Sequence, residues 1–455
     1  MKFYDRKKEI ETLGNLKGDF RVAVVGRRRI GKTRLVEDFY SKDRLTLFVS
    51  AEKSEKEIIK DWSEEYKEIP KVSSFKDLFE YLFTQKKDKL VFIDEMQNLL
   101  KVNKGFVFDL QRLIDKHKPR LVVSGSLLRM MKKMVENYKS PLFGRFDLIL
   151  KLRELDFLTV AEICRDLKIG IEDSVKLYSV FGGVPKYYEL IEKMKNFELE
   201  SFVHEMFVRY PRPLYEEVKL MLKEEFGKEH RMFFSILSAI SQGNTKLSEI
   251  ANFVGTEQTK ITKYLHLLQQ DFEIIRRETP LVGGKRGVYR ITSNLINFWF
   301  ANIWKYQELV ESEEEKLEDI LKNSLNSWNG KIFESIAFEL IKSASLELPV
   351  KFTRIGRQWG SVKNAEAGKN EYEIDIVCLD ETRKGALFVE CKWSDLKEKE
   401  AMKILEELKE KSRFVEWERH KEYFGLVGKK VLGKENLRKE GFFVWDLKDI
   451  ENVAK

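Results

Sequence analysis

The stretch RVAVVGRRRIGKTRLVEDF, residues 21 to 39, leaves few folds open. It is an apolar strand, then a G-x-x-x-x-G-K-T loop made by Gly26, Gly31, Lys32 and Thr33, then the start of a helix. A strand that runs through a short loop into a helix is the first half of a βαβ unit, which implies a parallel sheet with helices on both faces. The loop has the chemistry of phosphate binding. Its glycines let backbone N–H groups approach phosphate oxygens, and the helix N-terminus adds the positive end of its dipole. Lys32 is placed to meet the β- and γ-phosphates, and Thr33 offers a hydroxyl to Mg²⁺. Arg29 in the loop and Arg34 just after it are further candidates for nucleotide contact.

KLVFIDEMQNL adds a second buried strand, with Asp94 and Glu95 at its C-terminal end, where open α/β sheets bind ligands. Asp94 is the candidate to hold Mg²⁺ together with Thr33, and Glu95 to orient or deprotonate an attacking water. A third apolar strand, RLVVSGS, ends in Ser124 and Ser126. These serines are either sensors of the γ-phosphate or ordinary turn residues. Arg145, in the turn SPLFGRF, is either a stabiliser of transition-state charge, in cis or from a neighbouring subunit, or a solvated loop arginine.

A chain of 455 residues is too long for one core, so several domains are expected. The net charge of +8 tilts towards a polyanionic partner. Three cysteines, Cys164, Cys378 and Cys391, form no CxxC pair, which argues against a disulfide framework and structural zinc. The N-terminus has no apolar signal core, and no apolar run is long enough to span a bilayer. The expectation is a soluble, cytoplasmic protein with no membrane partner.

Residues 155 to 225 have helical spacing, and RYPRP (209 to 213) breaks it, since two prolines forbid a continuous helix. EHRMFFSILSAISQG, KLSEIANFVG and TEQTKITKYLHLLQQ then read as three short helices. In the last, Ile261, Tyr264, Leu265 and Leu268 form one buried stripe, leaving Thr259, Lys260 and Lys263 outside it. IRRETPLVGGKRGVYRI reads as two strands around a basic Gly-rich turn. This is the winged helix-turn-helix pattern, whose motif helix enters a major groove while Lys285 and Arg286 touch phosphates. The same module also serves as an interdomain or protein-binding element.

The last third holds a different constellation. QELVESEEEKLEDI reads as a charged, solvated helical connector, and WNGKIFESIAFELI as a buried helix carrying Glu334. A buried glutamate is costly unless paired, protonated or bound to a cation. FTRIGRQWG, EYEIDIVCLD, ALFVECKW, YFGLVGKK and GFFVWDLKDI read as strands. An antiparallel pairing of the second and third brings Asp375 towards Glu390 and Lys392, and Glu334 would make three carboxylates at one point. Two carboxylates about 4 Å apart repel by roughly 4 kcal/mol at an effective dielectric near 20. A Mg²⁺ or Mn²⁺ ion held by Asp375 and Glu390 removes that repulsion, and Lys392 would then assist an attacking water.

Two resemblances follow. The phosphate loop, FIDEMQ, SGS, PLFGR and FGGVPKYYEL together resemble the archaeal P-loop ATPase family related to AAA+ and STAND ATPases. The resemblance implies that Tyr4 and Arg6, in YDRKKEIETL, lie near the adenine, that Pro185 of the Gly183-x-Pro185 element packs near the base, and that Arg145 is the arginine finger. The order helix-Glu334, Asp375, Glu390-x-Lys392 resembles the PD-(D/E)xK nuclease superfamily, although Ile374 stands where that motif has proline. The resemblance implies an α/β core that cuts phosphodiester bonds, or one kept only for binding.

The expected fold is a multidomain α/β chain. A P-loop ATPase core (1–155) is followed by a helical lid (156–225), a winged helix-turn-helix (226–305), a helical connector (306–325) and a restriction-endonuclease-like domain (326–455). The expected function is ATP hydrolysis coupled to DNA processing or defence, with Mg²⁺-dependent DNA cleavage by catalytic residues Glu334, Asp375, Glu390 and Lys392. The alternative is a STAND-like regulatory switch whose terminal domain only binds DNA or protein. ATP or ADP, DNA and a second copy of the chain are the expected partners.

Overall fold

The computed structural model describes residues 2–41, 44–194, 197–284, 287–312, 316–349, 351–362 and 371–454. The chain divides into two compact units, Met1–Leu155 with Val184–Leu190, and Asp156–Gly183 with Ile191–Lys455.

The first unit is built on five strands, β1 (Arg21–Val25), β2 (Arg44–Phe48), β3 (Leu90–Asp94), β4 (Leu121–Gly125) and β5 (Leu148–Lys151). All are parallel, in the order β2-β3-β4-β1-β5. Their apolar runs are continuous because both faces are covered. Ala23, Val25, Val91, Ile93 and Val123 join the core on one face, and Val22, Val24, Leu90, Phe92 and Val122 the core on the other. The helix Lys32–Phe39 leaves β1 through the glycine loop. Thus β1, β3 and β4 end side by side beneath that loop, which brings three sequence-distant polar ends together.

In the second unit the helices Leu199–Phe207 and Pro213–Phe226 are separated by the proline-containing turn, with Pro213 at the first helical position, where its missing N–H costs nothing. The helices His230–Ser241, Leu247–Val254 and Gln258–Gln270 follow, then an antiparallel hairpin of β6 (Ile275–Glu278) and β7 (Val288–Ile291). Ile261, Tyr264, Leu265 and Leu268 are buried, while Thr259, Lys260 and Lys263 are exposed, as the stripe requires. Lys285 and Arg286 lie outside the described residues.

A mixed sheet closes the chain: β8 (Arg354–Ser361), β9 (Glu371–Asp380), β10 (Gly385–Leu396), β11 (Lys421–Val431) and β12 (Phe443–Trp445), in the order β12-β11-β10-β9-β8. The first three are antiparallel neighbours; β10, β11 and β12 run parallel. The helix Glu398–Ser412 makes the crossover from β10 to β11 and buries Ala401, Leu405 and Leu408.

Three expectations about organisation change. The stretch 156–225 is not one element of its own, because Val184–Leu190 group with the first unit, where Glu189 pairs with Arg34 at 3.2 Å. The expected connector is helical, over Gln307–Glu311 and again from Lys316, but it is not a separate solvated element. Lys316–Lys342 is a single helix across the 325/326 boundary, and Val310 and Leu317 are buried. It is fastened by Trp328 Nε1 donating to Ser179 O at 2.9 Å and by Ser179 Oγ donating to Asn329 Oδ1 at 2.6 Å. Finally, GFFVWDLKDI is a strand only to Trp445. Asp446 caps a helix there by accepting from the Lys448 and Asp449 N–H groups. No helix among the described residues is long and apolar enough to cross a membrane.

Candidate functional site

The glycine loop wraps a cavity of about 440 Å³ in the first unit. Gly26 has no room for a side chain: a Cβ would lie 2.3 Å from Ile30 Cδ1 and 2.7 Å from Leu152 O. Arg29 and Gly31 both take the left-handed conformation, with φ 68° and 91°, which bends the loop into the helix start. Lys32 is buried, and its Nζ donates to Arg27 O at 2.9 Å. Burial holds its amine below the usual lysine range, against the opposing pull of Glu95 and Asp94. An amine so placed gains when an anionic phosphate enters beside it.

Thr33 Oγ1 donates to Asp94 Oδ2 at 2.8 Å, and Ser124 Oγ donates to Asp94 Oδ1. A hydroxyl and a carboxylate in contact offer the hard oxygen donors that Mg²⁺ prefers. They are the residues that would hold the ion. Ser124 therefore braces Asp94 and does not line the cavity, so its partner here is a carboxylate. Glu95 lines the cavity in the left-handed region, φ 56°. Ser126 Oγ donates to its Oε2 at 2.7 Å, and Gln97 Nε2 donates to the same oxygen. Gln97, only 2% exposed, reaches this position past Gly125, whose Cβ would lie 2.5 Å from Gln97 Oε1.

Tyr4, Arg6, Arg29, Arg34 and Pro185 also line the cavity. Arg6 is buried and donates to Ile30 O at 3.2 Å and Arg153 O at 2.7 Å, so it organises the loop's base. The Arg29 guanidinium lies 5.9 Å from the Tyr187 ring centroid. The lining has seven basic side chains (Lys2, Arg6, Arg28, Arg29, Lys32, Arg34, Lys186) against three acidic ones (Asp94, Glu95, Glu189), a balance that suits a polyanion. Arg145 does not belong to this lining. Its Nε and Nη2 hold Asp115 at 3.2 and 3.1 Å.

The terminal residues are only partly gathered. β9 and β10 pair in the register that sets Asp375 beside Glu390, and Cys391 N donates to Asp375 Oδ2 at 2.8 Å. Glu390 Oε1 accepts from Lys392 and from Lys411, each at 3.0 Å. Its Oε2 is buried and has no partner. Burial, then the charges of Glu390 and Glu334, push the Asp375 carboxyl up to about 7. Glu390 holds the Lys392 amine above its usual range although burial works the other way. Glu334, however, is turned to Arg357, whose Nη1 donates to its Oε2 at 2.6 Å. Among the described residues no group of three His, Cys, Asp or Glu side chains is arranged to hold a metal ion. Glu334 thus stands within electrostatic reach of Asp375 but is hydrogen-bonded to Arg357, so the three carboxylates are not arranged around one metal position.

Three of these participants escaped the sequence reading. Gln97 lies two residues past Glu95, and only its contact with a buried carboxylate marks it. Lys411 sits near the end of a Lys/Glu-rich helix and resembles its solvated neighbours. Arg357 sits in a strand where alternation alone would leave it ordinary.

Residues 20–161 match the AAA domain family, and residues 299–404 match a family described as archaea bacterial proteins of unknown function. The chain is 34% identical over 449 residues to the uncharacterized protein MJECL04 of Methanocaldococcus jannaschii, covering 95% of this chain and 97% of the other. The chain belongs to that protein's family. Its first unit is a P-loop ATPase domain of the AAA type. Among solved structures, the Walker-type ATPase PABY2304 of Pyrococcus abyssi has 16% identity and a TM-score of 0.48, with 66% of this chain and 96% of that one covered. The ORC2 protein of Aeropyrum pernix has 14% identity and a TM-score of 0.43, with 68% and 94% covered. Likenesses at these scores bear on neither the fold nor the function of this chain.

Proposed function

We propose that the protein is an ATP-driven switch that acts on DNA. ATP binds in the cavity of the first unit, Thr33 and Asp94 hold Mg²⁺, and Glu95 orients the attacking water. The observation that carries this reading is the buried Lys32 amine beside the Thr33–Asp94–Ser124 chain. It is an electrostatic arrangement completed by a phosphate and a divalent ion. The three helices and hairpin of the second unit serve as a winged helix whose exposed Thr259, Lys260 and Lys263 meet the duplex. Arg145, engaged with Asp115 away from the cavity, acts on the nucleotide of a second copy, and the protein works in the cytoplasm.

The test measures DNA binding with ATP, ADP and no nucleotide, for the wild type and for Lys32→Ala. Nucleotide-dependent affinity that disappears in Lys32→Ala supports the switch. Affinity indifferent to nucleotide in the wild type refutes it.

One observation favours a second reading, that the terminal unit cuts DNA. Glu390 keeps a buried, unpartnered carboxylate oxygen beside Asp375. Such an atom is costly unless something positive meets it. The donor set of Asp375 and Glu390 suits Mg²⁺ or Mn²⁺ in kind, yet Glu334 is engaged with Arg357, so the residues as arranged do not complete a metal site. Incubation with linear, circular, single-stranded and branched DNA and either metal decides between the readings. Cleavage that Glu390→Ala abolishes establishes the nuclease, and intact DNA throughout leaves the switch alone.

A further inference from the structure

We propose that Arg357 is the resident cation of the terminal carboxylate site, held in place by the β6–β7 hairpin loop, and that a divalent cation must displace it from Glu334 in order to bind. The inference rests on the metal-dependent reading of that site and adds its regulation.

Arg357 occupies an irregular position. The register between β8 and β9 shifts between Gly356 and Gln358, where Arg357 alone stands against two residues of β9, Asp375 and Ile376, so β9 carries the extra residue of the bulge. The Arg357 side chain, only 8% exposed, reaches Glu334 at 2.6 Å, and its charge is felt by Asp375 as well. The pair is a charge-assisted hydrogen bond between a buried guanidinium and a half-buried carboxylate. It gives the cluster the positive charge that a metal would otherwise supply.

The hairpin reaches the same point. β8 is the edge of its sheet, and the loop after β6 docks along it. Leu281 N donates to Arg357 O at 3.0 Å. Val282 N donates to Gln358 Oε1 at 2.9 Å, and Gln358 Nε2 returns a bond to Val282 O at 3.2 Å. Gly356 allows the approach, since a Cβ there would lie 3.1 Å from Leu281 Cδ1. The loop therefore holds the Arg357 carbonyl and the neighbouring Gln358 side chain. Glu278 of β6, itself paired with Arg276 and Arg290 at 2.7 and 2.8 Å, adds to the field that keeps the guanidinium there. By linkage, whatever lifts the hairpin must favour the metal, and the metal must loosen the hairpin.

Manganese binding to the full chain, measured by titration calorimetry without nucleotide, provides the test. The component lost in Glu390→Gln belongs to the terminal site. Arg357→Met is expected to tighten that component at least tenfold. Gln358→Ala, which loosens the loop and leaves every charge in place, is expected to tighten it several-fold. In the wild type, saturating Mn²⁺ is expected to speed hydrogen exchange in the peptide 279–284. A Glu390-dependent component unchanged in both variants, with exchange also unchanged, overturns the latch and leaves the metal site standing. If no chain shows a Glu390-dependent component, both the latch and the metal-dependent reading fall.

Discussion

Asp375 makes a pH dependence that can be worked out from the structure. Burial, followed by the charges of Glu390 and Glu334, places its carboxyl at about 7 in the folded protein; in an unfolded chain an aspartate titrates near 3.9. The folded state thus holds a proton, between about pH 4 and about pH 7, that the unfolded chain has released. Stability linked to this group is fully present below the lower value and is lost as pH rises through the higher one. Three units at about 1.4 kcal/mol each make the loss about 4 kcal/mol. Asp375→Asn removes the charge and keeps an oxygen to accept from the Cys391 N–H. The variant is therefore expected to match the wild type near pH 4 and to exceed it at pH 8 by up to about 4 kcal/mol. The assay is urea unfolding followed by tryptophan fluorescence. Of the eight tryptophans only Trp62 lies in the first unit, so the signal reports on the second. A wild-type midpoint that stays flat from pH 5 to pH 8, with the variant no more stable at pH 8, would refute the reasoning.

Three further outcomes are expected. Lys32→Ala removes the one buried amine aimed at phosphate, so ATP affinity should fall by about a hundredfold or more, as fluorescent-nucleotide titration would show, consistent with losing charge-assisted bonds of about 1.5–3 kcal/mol each. Ser126→Ala leaves Glu95 with Gln97 as its remaining side-chain partner; ATP turnover should drop about tenfold while nucleotide affinity stays the same, the pattern of an interaction used in the transition state. Gly26→Ala drives a methyl against Leu152 O, so the first unit should lose about 1–3 kcal/mol and bind nucleotide poorly, measurable by thermal unfolding with and without ATP.

The candidate nucleotide site was readable from the chain because its chemistry needs contiguous residues. Gly26, Gly31, Lys32 and Thr33 must follow one another to shape one loop, and Asp94 must end a buried strand to reach them. The stripe of the helix Gln258–Gln270 and the β9–β10 pairing were readable for a similar reason: each follows from a period along a single segment. What tertiary structure alone decided is which partner each charge takes. Lys and Arg number 83 and Asp and Glu 75, so nearly any carboxylate has many potential cations in sequence. Only folding selects Arg357 for Glu334, Lys411 as second partner for Glu390, and Asp115 for Arg145. It also decided that one helix should run from Lys316 to Lys342 through an expected boundary, because its buried residues are fixed by packing against helices far back in the chain. Ion pairs and packing faces are relations between distant segments, and the contact of a strand arginine, Arg357, with a helix glutamate, Glu334, is one that no single segment carries.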